Sequence, residues 1–283
     1  MADGDELKKR VLQVSELFTL PDVIVKINSM VRSPETSAGD IANTISADMA
    51  LSAKVLKLVN SSFYGFSRRI TSINYAIVIL GFNAIRNLVM SVFLAGKCKN
   101  ATKNFDMGEF WRYAVNCAVA NDYIAEITGY PQRDDAFMAG LMHKIGVVVM
   151  NQYWPDELSA VIDKCHGEGL LLKEAERQML GFDHYELGAA LLDRWNLPED
   201  IVDVCRNVSA PGMEHSELCN MTHLANILVR TLCLGSPGDQ VMPELRPTAL
   251  EKLGLAPRQL PEIMEKIVVL GEKSQSFLGS LQS

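Results

Sequence analysis

Apolar residues recur at threes and fours along most of the chain, and no stretch sustains alternation at a period of two. Ile41 and Ile45 share one helical face, and Leu51, Val55, Leu58 and Val59 share another. Ser37 three residues before Asp40 predicts a capped helix start, because each side chain can satisfy backbone donors that the first turn leaves unpaired. Asp106 with Glu109 predicts a second start, and its stripe runs through Phe110, Ala114, Cys117, Ala118, Ile124 and Ile127. Gly129 and then Pro131 should end that helix, glycine by taking a left-handed cap and proline by lacking an N–H. Asp183 and Glu186 open a further helix that should run to about Trp195 and stop at Leu197-Pro198. The pattern predicts an all-α fold.

Two polar stretches interrupt it. Residues 96–105 (GKCKNATKNF) are lysine-rich and poor in large apolar groups, and residues 235–247 (GSPGDQVMPELRP) carry the Gly and Pro content of a loop. They divide the chain into an N-terminal helical sub-bundle over 1–97, a second over 98–234, and a segment 235–283. That last segment holds a loop and an amphipathic helix from about Pro257 to Leu281, expected to pack on the bundle. No tandem repeat is evident.

Composition narrows the function classes. Of 283 residues 48% are hydrophobic and 22% charged, an ordinary globular balance. The opening MADGDELKKR leads into no long apolar stretch, against a signal peptide, and the apolar runs 76–82 and 146–150 are too short to span a bilayer. A cytoplasmic protein without membrane association is expected. The six cysteines (Cys98, Cys117, Cys165, Cys205, Cys219, Cys233) lie singly, with no CxxC pair, as reduced structural thiols do. A net charge of −7 disfavours nucleic acid, since Lys54, Lys57, Arg68 and Arg69 form only a small basic group. There is no P-loop, no G-x-G-x-x-G and no G-x-S-x-G elbow.

Several segments, in order, resemble the HDOD family. They are LPDVIVKINSMV (20–31), DIANTISADMALSAKVLKLVNSSFYG (40–65), ITSINYAIVILG (70–81), Phe110-Trp111, AFMAGLMHKIG (136–146) and GFDHYELGAALLDRWNLPEDI (181–201). The resemblance covers roughly residues 15–230. It implies that the second sub-bundle is similar to the core of the HD phosphohydrolases, in which a His, a His-Asp pair and a later Asp hold divalent metal that activates water. Carried onto this chain, the first His position falls at Tyr113, the His-Asp pair at His143-Lys144, and the last Asp at Asn226.

Three of those four positions therefore lack the family's metal ligand. A protonated Lys144 has no lone pair to donate. At about 4 Å and an effective dielectric of about 20, its charge opposes a divalent ion by roughly 8 kcal/mol. Asn226 offers only a weak carbonyl acceptor, and Tyr113 would have to ionise well below its ordinary pKa near 10. The expectation is an HD-like core without its metal site, no metal and no cofactor.

The other polar candidates are weighed the same way. The small neighbours Ala139, Gly140, Gly146 and Val147 predict a close helix approach with His143 pointing inward, hydrogen-bonded rather than ligating. The same reading applies to His184. His223 and Asn226, three residues apart, are placed as a polar pair, and with Tyr113, His143, Lys144 and His184 they outline a vestigial cleft between the two helical halves. His166 is set at a helix end, and His215 in or near a loop. Asn60 is expected to end its helix through a left-handed cap. After it, Phe63 and Tyr64, flanked by Arg68 and Arg69, form either a loop stapled to the bundle or a surface for a partner. The function expected from the resemblance is a non-catalytic signal-transduction module acting through a protein partner or a small ligand. The rival is a phosphodiesterase or phosphatase with a rearranged metal site.

Overall fold

The computed structural model describes residues 7, 9–12, 18, 20–97, 102–209, 212 and 214–282. Among them every regular element is helical. No helix among the described residues is long and apolar enough to cross a membrane. The chain divides into two compact units, one of residues 20–97 with 272–283, the other of residues 1–19 with 98–271.

The smaller unit holds α1 (Asp22–Val31), α2 (Ala38–Ser46), α3 (Met49–Val59), α4 (Ile73–Leu80) and α5 (Phe82–Lys97). The hydroxyl of Ser37 accepts from Asp40 N at 3.2 Å while the Asp40 carboxylate accepts from Ser37 N at 2.9 Å, so the predicted capping box closes. Ile41, Ile45, Val55, Leu58 and Val59 are buried as the spacing requires. Helix α5 runs through Gly96 to Lys97, so the first polar stretch begins as helix. One expectation changes. Asn60 ends α3 at φ −86°, not left-handed; its side chain accepts from Ile70 N (2.7 Å) and donates to Leu56 O (2.7 Å) and Ile70 O (2.8 Å). It thus ties the end of α3 to Ile70 across the loop, and Gly65 takes the positive φ.

In the larger unit follow α6 (Met107–Thr128), α7 (Arg133–Met142), α8 (Ile145–Tyr153), α9 (Pro155–Glu168), α10 (Leu172–Leu180), α11 (His184–Arg194), α12 (Glu199–Asn207), α13 (Glu217–Thr231) and α14 (Pro247–Lys252). A 3₁₀ turn (Pro257–Gln259) leads into α15 (Leu260–Gln282), whose last turns belong to the smaller unit. Helix α6 is capped by Asp106, which accepts from Gly108 N and Glu109 N, and ends at Gly129 in the left-handed region. It is buried on nearly all sides rather than along one stripe, because α7 and α13 both pack on it, and Ile127, expected inside, is 39% exposed.

Close backbone approaches bring the polar residues together. A Cβ on Gly140 would lie 2.6 Å from the Cys117 carbonyl oxygen, and one on Gly146 would lie 2.0 Å from that of His184. Only glycine allows α7 to meet α6, and α8 to meet the start of α11, at that range. Cys117, Cys165, Cys205 and Cys219 are buried free thiols. Cys233 is exposed; Cys98 lies outside the described residues.

Candidate functional site

The cleft expected between two halves is instead a pocket inside the larger unit. It holds about 330 Å³ of empty space, open solvent at its mouth included, and is walled by Lys144, His184, Tyr185, Asn226, Arg230 and Asp239. Next to its lining residues Lys144 and Asn226, α6, α7 and α13 meet. Tyr113, wholly buried in α6, places its Oη 2.8 Å from His143 Nε2 and 2.6 Å from Asn226 Oδ1. His143 caps the C-terminus of α7, and its Nδ1–H donates to Gly140 O at 2.8 Å. Nε2 is therefore the bare nitrogen, an acceptor like Asn226 Oδ1, and the single proton of the Tyr113 phenol lies between these two acceptors.

Electrostatics agree with a neutral cluster. Burial and then Lys144 hold the His143 imidazole down at about 3, and burial raises the Tyr113 phenol well above its ordinary value. Cys117, beneath Tyr113 in α6, is pushed up by burial to about 12. It is no activated thiolate.

Lys144 sits between α7 and α8, 3% exposed, with Nζ 5.7 Å from the ring centres of both Tyr113 and Tyr185. Burial lowers it to about 8, against the pull of Asp239. Glu176 of α10 is fully buried and its Oε2 lies 2.6 Å from Nδ1 of the lining residue His184 and accepts from His184 N at 2.9 Å. Burial raises that carboxyl well above the usual range and lowers the imidazole of His184 to about 3.

A strap of residues 235–246 after α13 forms the remaining wall. Gly235, at φ +101°, lies so close to α6 that a Cβ there would stand 2.3 Å from Tyr113 N. The Asp239 carboxylate pairs with the Arg230 guanidinium and accepts from Leu172 N at 2.9 Å, and Arg230 also donates to Val241 O. Burial works to raise Asp239, but Lys144 and Arg230 outweigh it and keep it lowered. His223 donates from Nδ1 to Val208 O (2.8 Å) and accepts at Nε2 from Arg246 N (3.2 Å). The predicted His223–Asn226 pair is not formed. Both reach the pocket, but each is already spent on another partner.

The residues present do not fit a divalent metal. The Tyr113 hydroxyl stands against Nε2 of His143, both nitrogens of His223 are engaged, and an ammonium stands beside them. Among the described residues no three His, Cys, Asp or Glu side chains cluster as a ligand set. Tyr113, His143, Lys144 and Asn226, set by resemblance, do meet in one place. Glu176, Arg230, Asp239 and Tyr185 were not anticipated. The available signal was a lone Arg in the apolar run of α13 and a lone Asp nine residues later, opposite charges each lacking a visible partner.

The second candidate surface belongs to the smaller unit. Phe63 packs on Tyr64 (5.1 Å between ring centres) and Phe277 (5.5 Å), Tyr64 stacks on Phe66, and Arg68 and Arg69 are exposed. Asn60 and Arg69 line a broad open groove with Lys57 and Phe66.

Comparison with known proteins places these features. The profile of the HDOD domain matches residues 17–211. A crystal structure of a "Putative signal transduction protein" from Marinobacter aquaeolei VT8 superposes with a TM-score of 0.80 at 22% identity, covering 100% of this chain and 66% of that one. One of a "Putative phosphohydrolase" from Shewanella amazonensis SB2B gives 0.75 at 22%, covering 96% and 98%. At such identity they show a common fold. An uncharacterized protein from Treponema pallidum (strain Nichols) is 28% identical over 233 residues, 81% of this chain, which spans 45% of that relative's length. With the domain matched over more than half its length, this chain belongs to the HDOD family.

Proposed function

We propose that this HDOD protein is a non-catalytic signal-transduction or interaction module that works by binding, through a protein partner or a small ligand in the pocket of the larger unit. The observation that carries the reading is the buried hydrogen-bonded cluster of Tyr113, His143 and Asn226 with Lys144 beside it. At the positions where the family's hydrolase relatives set lone pairs on a metal, this chain has a neutral hydrogen-bonded cluster and an ammonium. A partner contact on the exposed Arg68 and Arg69 side of the smaller unit belongs to the same proposal.

The test is elemental analysis of protein purified without chelator, alongside turnover of a generic phosphodiester and phosphomonoester with added manganese, iron or nickel. Metal well below one equivalent and no turnover above a heat-treated control are expected. Near-stoichiometric metal that is lost in His143→Ala, together with ester hydrolysis, would establish the rival phosphohydrolase.

A further inference from the structure

Charge is distributed unevenly along the chain. Residues 49–105 carry eight lysines and arginines and no aspartate or glutamate, although acids outnumber bases 34 to 27 over the whole sequence. Most of that stretch folds in the smaller unit, which also holds the open groove. The groove has about 1600 Å³ of empty space, open solvent included, against about 330 Å³ for the pocket of the larger unit. It is lined by Leu56, Lys57 and Asn60 of α3 and its end, and by Phe66, Arg69 and Ile70 of the loop that follows. No lining residue is acidic. Arg68 and Arg69 are exposed, and neither pairs with a carboxylate among the described residues.

Charge and lining together select a guest. Exposed cations with no carboxylate beside them attract anions over roughly 8–10 Å at physiological salt. Arg69 offers a planar fork that fits a carboxylate with two parallel hydrogen bonds. Leu56, Phe66 and Ile70 add apolar lining that a purely ionic ligand would leave uncovered. Asn60 bonds to the backbone of Ile70, so helix and loop are tied together before a guest arrives. Nucleic acid fits less well. The rings of Phe63, Tyr64 and Phe66 pack on one another rather than standing open for bases, and a chain of net charge −7 repels a long polyanion beyond the groove. A bilayer presents its charge on a plane and does not enter a groove.

We infer that this groove docks an acidic segment of a partner protein, a short stretch carrying carboxylates together with large apolar side chains. The carboxylates meet Lys57 and Arg69, and the apolar side chains cover Leu56, Phe66 and Ile70. The inference rests on the partner-binding side of the proposed function and names the chemistry of that partner.

Fluorescence anisotropy of a short labelled peptide alternating Glu and Leu, titrated with the full chain, tests it. Saturable one-site binding is expected, and it should weaken as sodium chloride rises from about 0.05 to about 0.3 M. Lys57→Glu and Arg69→Glu should each weaken it at least about tenfold, and Lys266→Glu, at an exposed cation of the larger unit, should leave it unchanged. Two separate reversals guard against one that fails to fold. Absence of saturable binding, equal binding by both reversed variants, or equal binding of a peptide alternating Glu and Ser overturns the inference. Equally tight binding of single-stranded DNA of the same charge, or of vesicles of equimolar phosphatidylserine and phosphatidylcholine, overturns it too, since the groove would then serve a nucleic acid or a membrane. A peptide that fails to bind protein lacking metal and turnover removes the inference and leaves the non-catalytic reading standing. Metal uptake with ester hydrolysis removes that reading instead.

Discussion

Replacing Lys144 with Met should stabilise the protein near neutral pH. The ammonium is buried between two tyrosine rings without a protein acceptor, and burial takes it from 10.5 to about 8. At 1.36 kcal/mol per pKa unit, keeping it charged in the folded state at pH 7 costs about 3 kcal/mol. The Met side chain fills nearly the same volume as the lysine stem, and Asp239 keeps its guanidinium partner, so removing the charge leaves no new buried carboxylate unpaired. The folded value lies below the unfolded one, so between pH 8 and 10.5 the unfolded chain binds more protons and the lysine's cost declines as pH rises. The advantage of Lys144→Met should therefore be full at pH 7 and fall to roughly 1 kcal/mol by pH 9.5. Urea unfolding of both proteins at the two pH values, in chloride buffer free of phosphate and carboxylate, measures the difference. A variant less stable than the parent by 1 kcal/mol or more at pH 7 would refute the reasoning, because it would mean that the ammonium is a net stabilising ion-pair member.

Two further substitutions probe the surrounding frame. Tyr113→Phe removes the hydroxyl shared by His143 Nε2 and Asn226 Oδ1, so a loss of about 1–3 kcal/mol is expected in urea unfolding, and a change within 0.5 kcal/mol would contradict the buried hydrogen-bond network. Gly146→Ala places a methyl where the His184 carbonyl stands; separation of α8 from α11 should lower stability by about 1–3 kcal/mol, and an unchanged melting temperature would show that the approach is not tight.

What the chain discloses by pattern alone follows local chemistry. Ser37 with Asp40, Asp106 with Glu109 and Gly129, and Asp183 with Glu186 announce helix ends because caps act within a few residues. The inward turn of His143 was legible from the glycines around it. The partners in the pocket were not. Glu176 stands in the polar run LKEAERQML, where its neighbours Glu174 and Arg177 read as a solvated face; only the arrival of the His184 backbone from the next helix shows that this carboxyl is buried. Asp239 sits among Gly, Pro and Gln and reads as a turn residue until Arg230 and Leu172 N meet it across tertiary distance. Asn60 was misread for a related reason. Its helix-ending role was visible, but the bonds to Ile70 that accomplish it join residues ten apart.

The unequal placement of the thiols gives the molecule a built-in chemical address. Burial lifts Cys117, Cys165 and Cys219 to about 12, where roughly one thiol in thirty thousand is ionised at pH 7.5, so alkylating reagents find almost no nucleophile there. Cys233 is open to solvent two residues before Gly235, at the root of the segment that walls the pocket. Among the described cysteines, a maleimide dye would attach at that point, where its emission could follow the segment's movements without any engineered handle.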